Sequence, residues 1–170
     1  MSSLKTTHRW AVAQQNPELE KELSADLGIP GLVARIMVAH GITSIEEGQL
    51  FLTPSLDRDW ADPLVIPGMA AVADRVERAI RSHERIAVFG DFDVDGITST
   101  CLLTEALRSF GADVTPFIPY RFDEGYGLSR AALDRVNELA QPNLIVTVDN
   151  GIAAKEEVSY LESLGIDLVV

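Results

Sequence analysis

The stretch Ile86-Ala87-Val88-Phe89-Gly90-Asp91-Phe92-Asp93-Val94-Asp95-Gly96 decides the fold. Four consecutive apolar residues run into a glycine and then into alternating acids. A short apolar run of this kind, closed by turn residues, reads as a strand buried on both faces, as strands are in parallel sheets. The flanking sequence keeps the same rhythm. A helix is expected from Met69 to about Arg81, then another from about Ile97 to Phe110, followed by a strand from Asp113 to Ile118. After a glycine-punctuated loop come a helix Arg130–Ala140, a strand Asn143–Val148, a helix Ala153–Leu164 and a strand Ile166–Val170. Strands alternating with helices of this length imply an α/β protein with a doubly wound parallel sheet.

Residues 1–68 have a different texture and read as a helical lead-in with a proline-rich connector, leaving 69–170 as the sheet domain. Helices are expected over Pro17–Leu27, Leu32–His40 and Ile45–Leu52, broken at Gly28-Ile29-Pro30-Gly31 and Gly41-Ile42-Thr43-Ser44. Ser44 with Glu47 after it has the form of a capping box. From Thr53 to Pro67 the chain carries Pro54, Pro63 and Pro67, with Trp60 and Leu64–Ile66 available to anchor an ordered connector.

The composition narrows the function classes. With 170 residues, 46% hydrophobic and 24% charged, the chain can bury a core and is not a disordered tail or a coiled coil. No run approaches the roughly 18 apolar residues of a membrane span, and the opening residues lack a signal-peptide apolar region, so a soluble cytoplasmic protein is expected. The single cysteine, Cys101, can form no internal disulfide and reads as a packed helix residue. The histidines His8, His40 and His83 lack ligand spacing and read as surface residues. A net charge of −12 argues against holding nucleic acid through a bulk basic field. It leaves open a local grip through metal ions seated in clustered carboxylates.

In an open α/β sheet the site lies beyond the carboxyl ends of the strands. Two strands here run into aspartate there: the first into Asp91 and Asp93, the third into Asp149-Asn150-Gly151. In extended chain, residues i and i+2 point the same way, so Asp91 and Asp93 are expected to project together. In a 2-1-3-4 strand order Asp149 arrives beside them. Two carboxylates about 4 Å apart repel by roughly 4 kcal/mol at an effective dielectric of about 20, so a cation is expected between them. Oxygen-only ligands suit Mg²⁺ or Mn²⁺. Gly90, Gly96 and Gly151 allow close backbone approach, and helices beginning after Gly96 and Gly151 would aim amides at the site, with Thr98 and Ser99 as further donors to phosphate. The Asp-x-Asp-x-Asp-Gly pattern also spells the first half of a calcium-binding EF-hand loop, but Leu102 stands where that loop needs Glu. In the loop Ile118–Ser129, Arg121 is a candidate phosphate partner, and Tyr120 or Tyr126 a candidate base-stacking ring.

Gly90–Ser99 and Val148–Ile152 resemble the first two motifs of the DHH phosphoesterase family, specifically its RecJ branch of single-strand-specific 5′ to 3′ DNA exonucleases. The Ile118–Leu128 loop, Phe51-Leu52-Thr53-Pro54 and Asp62-Pro63 are similar to that branch too. The resemblance implies metal-dependent phosphodiester hydrolysis on single-stranded DNA in repair and recombination, with a two-metal Mn²⁺ or Mg²⁺ site in the complete enzyme. It implies catalytic metal ligands at Asp91, Asp93 and Asp149, with Asp95 and Asn150 behind them. In related inorganic pyrophosphatases a histidine precedes the first aspartate at the position of Ala87 here. The family's Asp-His-His motif follows the fourth strand, in which this sequence stops, so the chain is expected to be an N-terminal portion with negligible nuclease activity alone.

Two other readings fit part of the pattern. A haloacid-dehalogenase-like phosphatase, or another DHH enzyme, would act on a small phosphorylated substrate, with Asp91 as nucleophile and Asp93 as acid in the former. A DHH-like scaffold without metals would act as a binding subunit.

Overall fold

The computed structural model describes residues 11, 15–125 and 127–170. It divides into two compact units, Met1–Asp62 and Pro63–Val170, so the division falls inside the proline-rich connector. Among the described residues no helix is long and apolar enough to cross a membrane.

The first unit contains α1 (Pro17–Asp26), α2 (Gly31–Ala39), α3 (Ile45–Leu52) and the short α4 (Leu56–Asp59). Leu23 of α1 with Ala34 and Met37 of α2 form its buried side. Ser44 caps α3 by accepting from the Glu47 N–H at 3.2 Å. The reciprocal arm of the expected capping box lands one residue early, because Glu47 Oε2 accepts from the Thr43 N–H at 2.7 Å. The apolar residues expected to anchor the connector stay out of any core: Trp60 is 75% exposed and Val65 70%. His8 lies outside the described residues, and His40 and His83 are exposed.

The second unit opens with a 3-10 turn (Pro63–Val65) and continues α5 (Met69–Arg81), β1 (Arg85–Phe89), α6 (Val94–Ser109), β2 (Asp113–Phe117), α7 (Arg130–Ala140), β3 (Leu144–Thr147), α8 (Lys155–Ser163) and β4 (Asp167–Val169). The four strands are parallel in the order β2-β1-β3-β4, as the sequence implied. Alternate residues of β1 feed two cores. Ala87 and Phe89 join Leu133 and Val136 of α7, Ile145 of β3 and Leu161 of α8. Ile86 and Val88 join Ala79 of α5, Leu107 of α6, Val114 of β2 and Val146 of β3. Both faces of the sheet are therefore covered, which is why Ile86–Phe89 of β1 and Leu144–Val146 of β3 are apolar without alternation.

Helix α6 begins at Val94, ahead of the Ile97 expected, because Asp93 is its N-cap and accepts from the Gly96 N–H at 2.9 Å. Gly96 is thus inside the first turn. Helix α8 begins at Lys155, after a turn that follows Gly151, so its amides do not start at that glycine as expected. The face that α6 buries is Thr100, Thr104 and Leu107. Cys101 lies off that stripe and is exposed, not packed.

Candidate metal-holding edge of the sheet

Phe89 pairs with Thr147 across β1 and β3, and the Val148 N–H donates to the Phe89 carbonyl at 3.0 Å. The strands therefore end in step. Asp91 lies two residues beyond one and Asp149 two beyond the other, with no strand between them.

The four acids have different situations. Asp91 is only 1% exposed, and its Oδ1 accepts from the Phe92 N–H at 2.7 Å. Asp93 is exposed and caps α6; Asp95 is exposed in the first helical turn, where the helix dipole favours an anion. Asp149 is exposed, and its backbone is left-handed at φ 60°, a conformation that aspartate tolerates better than most residues. Its carboxyl is pushed up from the usual range, first by desolvation, then by the neighbouring carboxylates of Asp93, Asp95 and Asp91. Asp95 acts on Asp149 more strongly than Asp91 does. Two separate segments thus bring four carboxylates into one field.

Among the described residues, no three His, Cys, Asp or Glu side chains converge tightly enough to enclose a metal ion as they stand. The reason is local: Asp91 is turned onto its own backbone and Asp93 onto its helix. The donor set is all oxygen, which suits a hard divalent cation. Asn150 adds to it. Its Nδ2 donates to the Val148 carbonyl at 3.1 Å, while its buried Oδ1 has no partner. A buried orphan acceptor beside three or four carboxylates is the arrangement a cation or its bound water completes. These residues fit such an ion.

The glycines act by letting the helix come close to the strand end. A Cβ on Gly96 would stand 2.5 Å from the backbone N and O of Asp91. One on Gly90 would meet Thr100 Oγ1 at 1.9 Å. The close approach the sequence implied is here that of α6 to the end of β1. Thr98 and Ser99 are likewise turned inward. Thr98 Oγ1 donates to the Val94 carbonyl at 2.7 Å and Ser99 Oγ to the Asp95 carbonyl at 2.6 Å. Their hydroxyl protons are engaged by the helix, which differs from the expectation of phosphate donors.

The loop after β2 stands at the same edge. Arg121 lies with its Cζ 4.8 Å from the centroid of the Phe92 ring, which brings it beside the aspartates. Tyr120 is exposed, and Tyr126 lies outside the described residues. Arg135 of α7 fixes this loop, a role sequence reading missed because nothing in the spacing from Glu124 marks it. Its Nη2 donates to Glu124 Oε2 at 2.8 Å and to the Ile118 carbonyl at 2.9 Å. Its guanidinium lies 4.1 Å from the Phe117 ring centroid and 4.2 Å from that of Tyr120. Glu124 also accepts from the Tyr120 N–H at 2.6 Å. A cleft of about 630 Å³ opens beside Asp149, lined by Leu128, Asn150, Gly151, Ile152 and a further acid that sequence reading missed, Glu157.

Arg135 holds the Glu124 carboxyl below its ordinary value of 4.5. Because the folded pKa is depressed, the clasp contributes fully above the unfolded value and loses its contribution as pH falls through the folded one. Glu124→Gln should therefore destabilise the loop by about 1–2 kcal/mol at neutral pH. It should also flatten the acid limb of the stability curve below about pH 4. Limited proteolysis across residues 118–125 as a function of pH checks both, and an unchanged cleavage profile in the variant would refute them.

The model of the DHH family, N-terminal domain, matches residues 85–170, from the first residue of β1 onward. The chain belongs to the DHH family. It is similar to the single-stranded-DNA-specific exonuclease RecJ of Bacillus subtilis (strain 168), at 38% identity over 162 residues, 95% of this chain. The protein of the same name from Escherichia coli (strain K12) is 36% identical over 154 residues, 89% of this chain. This DHH chain spans 20% of the length of the first and 26% of the second. A crystal structure of exonuclease RecJ bound to manganese is 40% identical, with a TM-score of 0.55, covering 59% of this chain and 26% of the other.

Proposed function

We propose that the complete protein is a 5′ to 3′ exonuclease that hydrolyses the phosphodiesters of single-stranded DNA, and that this chain supplies one part of its metal-holding edge. The observation that carries the reading is that β1 and β3 are neighbours and end in step, Phe89 paired with Thr147, which sets Asp91 and Asp93 at the same edge of the sheet as Asp149. The family membership and the manganese named in the related crystal structure support it. Mn²⁺ or Mg²⁺ ions bound there supply a water of lowered pKa and offset charge on the phosphoryl oxygens.

Asp91, Asp93 and Asp149 hold the ions, with Asp95 tuning their field and Asn150 Oδ1 accepting from a bound water. For Asp93 this means sharing its carboxylate between the cap on Gly96 and the ion. Arg121 pairs with substrate phosphate, a role its planar fork suits. Tyr126 is the aromatic candidate for stacking a base. Thr98 and Ser99 contribute through the first turn of α6, which their hydroxyls brace, and not as donors. Burial of Asp91, with one oxygen already engaged, disfavours the phosphatase reading in which it attacks phosphorus. The same reading assigns the protein to DNA repair and recombination in the cytoplasm, supported by relatives named as single-stranded-DNA-specific exonucleases.

Titrating the chain with Mn²⁺ and following the free-ion electron paramagnetic resonance signal tests this. Saturable uptake, tighter binding of a single-stranded oligonucleotide when Mn²⁺ is present, and loss of both in Asp93→Ala are expected. The chain alone should degrade that oligonucleotide negligibly, since it contains no Asp-His-His motif. Absence of Mn²⁺ uptake, or a trapped aspartyl-phosphate on Asp91, would overturn the proposal.

A further inference from the structure

Arg121 is exposed, and among the described residues it forms no ion pair with a carboxylate. An exposed guanidinium on a mobile side chain would pair with any carboxylate in its reach, where it would compete with a cation. Something holds it off. The contact the structure shows is with the Phe92 ring, whose centroid is 4.8 Å from Cζ, and Phe92 is the residue between Asp91 and Asp93. Stacking on a ring face uses the flat side of the guanidinium and leaves its N–H edge available. The backbone on either side of Arg121 is also fixed: the Asp123 and Glu124 N–H groups donate to the Tyr120 carbonyl at 3.2 and 2.8 Å, and Arg135 clasps Glu124.

We infer that Phe92 is a positioning residue, whose ring seats Arg121 at the aspartate edge with its donor edge turned toward the phosphate of a bound strand. The inference rests on the reading of this edge as a phosphodiester site. It assigns the ring between the two acids a task separate from theirs: the same short segment that offers carboxylates to the metal also orients the cation for the substrate.

The test is the affinity of the chain, with Mn²⁺ present, for an oligothymidylate carrying a 5′-phosphate and for the same strand with a 5′-hydroxyl. Four proteins are compared with the wild type: Phe92→Leu, Phe92→Tyr, Arg121→Gln and the double variant Phe92→Leu/Arg121→Gln. Phe92→Leu should weaken binding of the phosphorylated strand by about 2- to 5-fold, the size of an exposed cation–π contact. Phe92→Tyr should restore it. The double variant should bind no more weakly than Arg121→Gln, because one effect acts through the other. Mn²⁺ uptake and the thermal midpoint of Phe92→Leu control for damage to the aspartates or the fold. Wild-type affinity in Phe92→Leu alongside a loss in Arg121→Gln would overturn the inference and leave the phosphodiester reading standing. No loss in Arg121→Gln would overturn the reading of Arg121 as a phosphate partner and the inference with it.

Discussion

Gly96→Ala is expected to lower stability by about 3 kcal/mol, so that the protein melts roughly 6–12 °C earlier. The added Cβ would lie 2.5 Å from the N and O of Asp91 and 2.6 Å from its carbonyl carbon. Backbone atoms at the end of a central strand cannot swing aside as a side chain does. Relief therefore requires α6 to lift from the sheet or Asp91 to leave its place. The φ of Gly96 is not in the left-handed region, so the cost is steric and owes nothing to conformational freedom. Gly31→Ala is the control: its Cβ would meet nothing within 4 Å, at the start of α2. There alanine should be neutral or stabilising by up to about 1 kcal/mol. Thermal unfolding followed by circular dichroism checks the pair. A Gly96→Ala melting point within error of wild type would mean that the helix has room the structure does not show.

Asp149→Asn is expected to separate stability from metal affinity. It removes a negative charge from the field of Asp93, Asp95 and Asp91, and asparagine accepts the left-handed backbone at φ 60° as readily as aspartate does. The metal-free protein should therefore melt higher than wild type. Mn²⁺ affinity should fall by at least about 10- to 100-fold, since even the loss of a group behind a ligand has an effect of that size. Asp149→Ala would not serve as well, because alanine is strained at positive φ and its melting point would mix two causes. A lower melting point for the asparagine variant would show that the carboxylates do not repel in the folded protein. Unchanged Mn²⁺ affinity would remove Asp149 from the ligand set.

The sheet was legible because its signals are crude and redundant. Apolar runs such as Ile86–Phe89 and Leu144–Val148 have no other place in a folded chain than between two layers of helices, and the glycines and acids that follow mark where they stop. The aspartates were legible for the same reason, since strand ends in this architecture share one edge. Less visible was what each side chain does once there. Asp93 reads equally as an extended residue or as a helix cap, and only the position of α6 against β1 selects the cap. Thr98 and Ser99 are oriented by that choice as well: with α6 starting at Val94, their hydroxyls fall over the carbonyls of the preceding turn. Cys101 is exposed because the stripe α6 buries runs through Thr100, Thr104 and Leu107, a face that polar threonines disguise in the sequence. The clasp of Arg135 on Glu124 depends on tertiary placement of two segments and leaves no mark in either. Arg121 and Phe92 are far apart in sequence and meet because β1 and β2 are neighbours.

The pairing of β1 with β3 has a consequence for biosynthesis. A chain leaving the ribosome exposes Asp91 and Asp93 before Asp149, and the register of Phe89 on Thr147 must form before the two strand ends stand side by side. If Asp91, Asp93 and Asp149 hold the ions as proposed, divalent cations can do little to guide the early stages of folding, and their uptake would follow the docking of the third strand.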